Sequence, residues 1–323
     1  MTASAATARP VEGPLGYLGE AVAAAAAVQT AGRLGVLARL DAGPMTAAEL
    51  AAACAISERG ARLLLAALAG LGLIEAVGGA WRAVLPNLAG LAGMPAIWEH
   101  LDGVLREGRP LVRGDTPEGA AAFYPGAVGH LGTMLSAVAE RAASLLPAAV
   151  RVLDAGAGAA PWSLAVAARD PACVVTAVDL PTVVPATRRA VRNAGREQQF
   201  RFLTGDLYTL DLGRGAYDLA IAGNLCHLFD DATNRRLLCR LHDALLPGGT
   251  LAVMDVIPEE QPTPRWVALY ELGLLLRTAS GRVHPLTAYL GWLHDAGFEP
   301  PERHCLVDQA QAVLLVARKP VDG

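Results

Sequence analysis

The stretch "VLDAGAGAAPWS", Val152–Ser163, decides how the rest of the chain is read. An apolar run ends at Asp154. Gly156 and Gly158 follow, and a helical pattern opens at Pro161. Glycine reaches backbone angles closed to other residues, so such a turn is tight and lets a ligand approach the main-chain N–H groups. Strand, glycine turn, helix is the opening of a nucleotide-type βαβ unit, with Ala160 here at the third small position.

Downstream the same alternation repeats. "CVVTAVDL", "QFRFLTGDL", "YDLAIAGN" and "TLAVMDVI" read as strands, and "TVVPATRRAVRNAG" and "DATNRRLLCRLHDALL" as helices. Pro247, Gly248 and Gly249 are expected to stop the second helix. Residues 264–296 read as helical, and "PERHCLVD" and "AQAVLLVAR" as two closing strands. Continuous apolar strands between helices predict an α/β fold with a doubly wound, mostly parallel sheet. Ligands of such sheets bind beyond the strands' C-terminal ends, where strand order reverses. Asp179 ends the second strand, about 20 residues past the glycines, where a carboxylate takes ribose hydroxyls. Asp206, in "GDL", is placed to accept from an adenine amino group. A loop aspartate capping its own turn is the alternative for each. At successive strand ends they describe a nucleoside site together.

Upstream, residues 17–40 read as helix. Thr46 with Glu49 forms a capping box for a short helix. Ser57 opens another, whose Leu63, Leu64, Leu65, Leu68 and Leu71 are expected to cover one broad face. "LIEAV", Gly-Gly and "AWRAV" form a hairpin. Helix, helix, hairpin is a winged-helix arrangement. Its second helix, "SERGARLLLAALAGLG", carries only two arginines, whereas a major-groove reader wants a basic face. A structural or dimerisation module is the favoured reading over a DNA-binding one. Residues 86–148 read as a helical connector able to cover a neighbouring pocket, with Trp98, His100, Tyr124, His130 and Met134 as candidate lining. The expected domains are therefore 1–95, 96–148 and 149–323.

Composition narrows the function classes. The 323 residues are 53% hydrophobic and 18% charged, with net charge −4, which predicts a globular protein with no affinity for nucleic acid or an anionic membrane. The five cysteines (Cys54, Cys173, Cys226, Cys239 and Cys305) form no C-x-x-C pair and no metal spacing. They suit reduced thiols in the cytoplasm, and no metal is expected. The N-terminus lacks a signal-peptide pattern. The alanine-rich "EAVAAAAAVQTAGRLGVLARL" carries internal charges and reads as a packed helix rather than a membrane span.

"VLDAGAGAAPWS", "VTAVDLP", "FLTGDL", "YDLAIAGNLCHLFDD", "LLPGGTLAVMDVIPEE" and "HDAGFEP" resemble the successive motifs of class I S-adenosylmethionine-dependent methyltransferases. Nearly the whole chain resembles the small-molecule O-methyltransferases of the caffeate and acetylserotonin type, which carry an N-terminal winged-helix-like dimerisation region. The resemblance implies a Rossmann-like methyltransferase sheet, a homodimer, and methyl transfer from S-adenosylmethionine to a small, aromatic, secondary-metabolite hydroxyl. It also points to a cofactor site of Asp154, Gly156, Gly158, Asp179, Leu180, Asp206, Leu207 and Asn224; Trp98, Tyr124 and Met134 of the connector, with His284, are the candidates for the acceptor side. His227 stands where the family has its general base, and Asp255 where it has the acid that orients it. A neutral imidazole suits deprotonation of a hydroxyl as it attacks the activated methyl.

The sequence departs from that pattern. Leu228 replaces the aspartate after the histidine, Phe229 replaces a tryptophan, and the second acid is missing from "GRVHPLTAYL", where His284 lies. Two readings therefore stay open: His227 as a base, or as a residue that holds substrate or caps its loop. A recruited, non-methylating reaction (pericyclic, decarboxylating or hydroxylating) is the alternative function, and a winged-helix metabolite sensor a third.

Overall fold

In the computed structural model the α/β pattern after residue 150 forms one seven-stranded sheet. The structure describes residues 14–84, 88–92, 97–258, 265–307 and 312–321. The chain divides into two units, Met1–Ala96 and Ile97–Gly323.

In the first unit, α1 (Pro14–Arg33) and α2 (Val36–Ala42) are separate helices, not the single helix expected over 17–40. Gly35, at φ 73°, turns the chain left-handed between them. Thr46 caps α3 (Ala47–Ala53): its Oγ1 accepts from Glu49 N–H at 3.2 Å, and Glu49 Oε2 accepts from Thr46 N–H at 2.8 Å. Ser57 caps α4 (Glu58–Gly70) by accepting from Gly60 N–H at 3.0 Å. The buried stripe of α4 is Ala61, Leu65 and Leu68, whereas Leu63 is 62% and Leu71 40% exposed. The apolar face is thus narrower than the leucine run suggests. Strands β1 (Ile74–Val77) and β2 (Ala80–Ala83) pair as an antiparallel hairpin.

The second unit begins with α5 (Leu101–Glu107) and the long α6 (Pro117–Leu145). The sheet order is β5-β4-β3-β6-β7-β9-β8, with β3 Arg151–Ala155, β4 Val174–Asp179, β5 Phe200–Thr204, β6 Tyr217–Gly223, β7 Leu245–Val256, β8 Glu302–Val307 and β9 Ala312–Arg318. Strands β3 to β7 are parallel, and β9 runs antiparallel to both β7 and β8. Successive residues feed opposite faces. Leu153, Val178, Ala220, Ala222, Leu251 and Val253 face one way, against α9 (Asp231–Ala244), α10 (Arg265–Arg277) and α11 (Leu286–Asp295). Val152, Val175, Ala177, Leu219, Ile221, Ala252 and Met254 face the other way, against α6 and α7 (Pro161–Arg169). Helix α8 (Val184–Asn193) follows β4. Burial on both faces explains why the strands read as unbroken apolar runs.

Pro247, Gly248 and Gly249 do not end α9. That helix stops at Ala244, and Leu245 is already extended at ψ 144°. Tyr217 pairs with Leu245 and Leu219 with Thr250, so the Pro-Gly-Gly segment bulges out of the β7 edge. Gly248, at φ 75°, donates its N–H to Lys319 O at 3.0 Å. The helical region expected over 264–296 forms as α10 and α11, separated by residues 278–285.

Candidate active site

Strand order reverses between β3 and β6, and a cavity opens beyond the C-terminal ends of β3, β4 and β6 and the turn after β5. Its wall includes Gly156, Gly158, Asp179, Leu180, Asp206, Leu207 and Asn224. Gly156 and Gly158 both have positive φ, 69° and 55°, as their turn demands. Their N–H groups do not point out at a ligand as expected. Gly156 and Ala157 donate to Val178 O at 3.0 and 3.1 Å, and Gly158 donates to Asp179 Oδ2 at 2.7 Å. What the glycines supply is shape. A Cβ on Gly156 would stand 3.0 Å from Leu225. Helix α6 closes over the same turn: a Cβ at Gly132 would stand 2.6 Å from that of Ala159.

Asp179 also accepts from its own neighbour, Leu180 N–H, at 2.7 Å. Burial raises its carboxyl above the ordinary value, and the Gly158 and Leu180 N–H groups pull it back. Each of its oxygens keeps a lone pair for a ligand. Asp206 Oδ1 accepts from Tyr208 N–H at 2.9 Å, which fixes the "GDL" turn. Asn224, at φ 54°, donates its N–H to Met254 O at 2.7 Å. Its Oδ1 and the Tyr208 hydroxyl are buried against the cavity without a partner. A buried polar atom left unpaired costs about 1–3 kcal/mol.

Asp154 stands apart from this wall. It is 2% exposed and bonded to the Ser163 hydroxyl beneath the turn, not among the cavity residues. Burial pushes its carboxyl up to about 7. It braces α7 against β3.

His227 sits in a one-turn 3₁₀ segment, Cys226–Leu228, after β6. Asp255, at the end of β7, receives its Nδ1 at 2.7 Å and its backbone N–H at 3.1 Å. Val256 N–H and the Tyr289 hydroxyl also donate to Asp255, at 2.8 and 3.0 Å. Burial alone would raise Asp255; its pairing with His227 and these donors outweigh it and hold it below the usual carboxylate value. An ionised carboxylate only accepts, so Nδ1 carries the proton and Nε2 presents its lone pair. In this structure that lone pair meets the Tyr270 hydroxyl of α10 at 3.0 Å. Burial raises the Tyr270 phenol, so it stays protonated and donates.

Tyr289 of α11 donates its hydroxyl to Asp255 from the side away from His227 Nδ1. His284 does not reach the acceptor space. It is 3% exposed, and its Nε2 lies 2.9 Å from Phe229 O, propping the loop that carries His227. The His227 carbonyl accepts from Arg282 N–H at 2.9 Å. Of the other acceptor-side candidates, Tyr124 lines the cavity, and burial pushes its hydroxyl up to about 12. Trp98 lies outside the lining and packs against Gly273 of α10. Met134 is 55% exposed and His100 exposed, because their helices turn them to solvent. The His130 side chain lies outside the described residues. Sequence reasoning missed Tyr270 and Tyr289; both stand in helices whose apolar spacing reads as ordinary packing.

Comparison with known proteins places this geometry. The family described as "O-methyltransferase domain" matches residues 112–299, and "O-methyltransferase dimerisation domain" matches residues 18–82. The chain is 28% identical over 305 residues to the tetracenomycin polyketide synthesis 8-O-methyl transferase of Streptomyces glaucescens, covering 86% of this chain and 88% of that protein. It is 28% identical over 302 residues to 3-hydroxy-5-methyl-1-naphthoate 3-O-methyltransferase of Streptomyces sahachiroi, covering 84% of each. The fold is shared with human N-acetylserotonin methyltransferase, solved in complex with SAM (TM-score 0.76, 24% identity, 98% of this chain and 100% of that one).

Proposed function

Since the chain belongs to the O-methyltransferase family, we propose that it transfers a methyl group from S-adenosylmethionine to the hydroxyl of a small aromatic acceptor, with His227 as general base. The observation that carries this reading is the buried His227–Asp255 pair, 2.7 Å apart, beside the cavity at the strand ends.

The cavity residues fit the cofactor. Asp179 suits the ribose hydroxyls and Asp206 with Leu207 the adenine, while the turn at Gly156 and Gly158 accommodates the methionine part. The partnerless Asn224 Oδ1 and Tyr208 hydroxyl are further groups for it to satisfy. When bound, the cofactor supplies a methyl already activated by sulfonium charge, so the protein has mainly to align and deprotonate. Asp255 holds the Nδ1 proton and keeps Nε2 free to accept one. The Tyr270 hydroxyl occupies Nε2 in this structure, so an acceptor hydroxyl has to displace it. Tyr270→Phe removes that competitor, and the expected result is a lower acceptor KM with kcat changed less than about threefold, within the worth of one neutral hydrogen bond. A large fall in kcat instead would make Tyr270 part of the proton path.

Methyl transfer itself is tested with labelled S-adenosylmethionine and a panel of phenols and aromatic polyketides. Binding of the cofactor without label in any product would overturn it, and would favour the recruited, non-methylating reaction.

The dimerisation region supports a homodimer. On α1, Leu18 is 54% and Val22 68% exposed, an apolar surface that a second copy covers. Sedimentation as a monomer at micromolar concentration would rule this out. No single helix among the described residues is long and apolar enough to cross a membrane.

A further inference from the structure

One strip of α10 faces the catalytic histidine. Trp266, Tyr270 and Arg277 are spaced four and seven residues apart, which puts them on one side of a helix. Tyr270 reaches His227 Nε2, and the Arg277 guanidinium lies over the Tyr270 ring, 5.2 Å from its centre. One tyrosine ring thus separates the base from a cation.

Among the described residues, no carboxylate lies within ion-pair distance of Arg277, and its Nε is buried with no hydrogen-bond partner. Trp266 Nε1, on the same strip, is also buried and unpartnered. The carboxylates closest in function are committed elsewhere. Asp115 accepts from Arg113, Ala279 N–H and Ser280, and Asp255 holds His227. Arg277 O receives Gly114 N–H at 2.7 Å, which fixes the end of α10 beside Tyr124 and the cavity wall. The groups along this strip and beside it, with Tyr124 of the cavity wall, are thus a guanidinium, an indole N–H and two protonated phenols. Donors predominate, and the carboxylates beside them, Asp115 and Asp255, already hold other partners.

We propose that Arg277 binds an anionic oxygen of the acceptor, so that the preferred substrate is an aryl carboxylate whose methylated hydroxyl lies about one ring's width from the carboxylate. The chemistry favours a carboxylate because the planar guanidinium offers paired N–H groups that match its two oxygens. Trp266 N–H then serves a further oxygen of the same ligand. This rests on the methyl-transfer reading for the identity of the hydroxyl, but not for the anion site itself.

The two are separated by measuring binding without turnover. The full-length protein, loaded with S-adenosylhomocysteine, is titrated calorimetrically with 4-hydroxybenzoate and 6-hydroxy-2-naphthoate, each against its methyl ester. In the wild type at least one acid should bind about 10- to 100-fold more tightly than its ester, the worth of a hydrogen bond to a charged group. In Arg277→Gln that ratio should fall to about one, and Arg277→Lys should restore part of it. Binding of S-adenosylhomocysteine by each variant checks that it is folded. Equal affinity for acid and ester in the wild type overturns the proposal whether or not the variants fold. So does an Arg277→Gln protein that keeps the wild-type ratio. An intact acid preference with no methylated product leaves the anion site standing and removes the methyl-transfer reading.

Discussion

Replacing His227 with alanine should lower kcat by about 10²- to 10⁴-fold, the usual contribution of a positioned general base. The acceptor KM should change far less, because the proton moves only as the bond to the methyl forms. Those two parameters separate the two readings that the sequence leaves open. If His227 merely holds the acceptor, truncation removes binding present equally in ground and transition states, so KM rises and kcat is retained. The geometry favours the first outcome. Nδ1 is already committed to Asp255, and Nε2 meets a hydroxyl at 3.0 Å, the arrangement the proposed base would need with an acceptor hydroxyl in Tyr270's place. Cofactor affinity provides the control, since His227 is not among the residues that line the cavity. A fall in kcat of less than about tenfold would be too small for general-base catalysis.

The parts of this site that are legible in the sequence are those fixed by local backbone demands. Gly156 and Gly158 announce a turn because only a left-handed backbone makes it, and Asp179 and Asp206 follow at strand ends whose apolar runs are plain to read. The family resemblance directs attention to His227 and Asp255, although 28 residues separate them. What sequence reasoning misses depends on contacts between distant elements. Tyr289 reaches Asp255 from α11, and nothing in "HPLTAYLGW" distinguishes it from the packing of Trp292 beside it. His284 looks like a site residue because of its position in the motif, yet it props Phe229 from behind. Asp154 belongs to the glycine motif but faces inward, to Ser163. The bulge at Pro247–Gly249 escapes for a similar reason. A Pro-Gly-Gly segment ends helices and disrupts strand edges alike, and only the partner strand decides which.

Asp255→Asn should have the larger structural cost, and its effect on rate should approach that of losing His227. The carboxylate accepts from four donors: His227 Nδ1, His227 N–H, Val256 N–H and the Tyr289 hydroxyl. An asparagine has one accepting oxygen, so its NH₂ must face donors that previously met the other. If the NH₂ turns to His227, the imidazole answers by moving its proton to Nε2, the tautomer that cannot take a proton from an acceptor. Where a buried aspartate holds a catalytic histidine, as in the serine proteases, the wrong tautomer costs about 10⁴-fold in kcat. A drop of about 10²-fold or more is expected here, since a general base contributes at least that much. Breaking a buried pair of this kind also destabilises by about 3–5 kcal/mol. The pH dependence has a definite sign. Asp255 is held below the ordinary carboxylate value in the folded protein, so its contribution is fully present above the unfolded-state value of about 4 and disappears as pH falls through the folded one. Denaturant unfolding should therefore show a wide gap between wild type and Asp255→Asn at pH 7, and a narrower one below about pH 4. A gap of equal width at both pH values would mean that the asparagine damages packing rather than the ionised network. A kcat within a few-fold of wild type would mean that the backbone around Cys226–Leu228 orients the imidazole without the carboxylate.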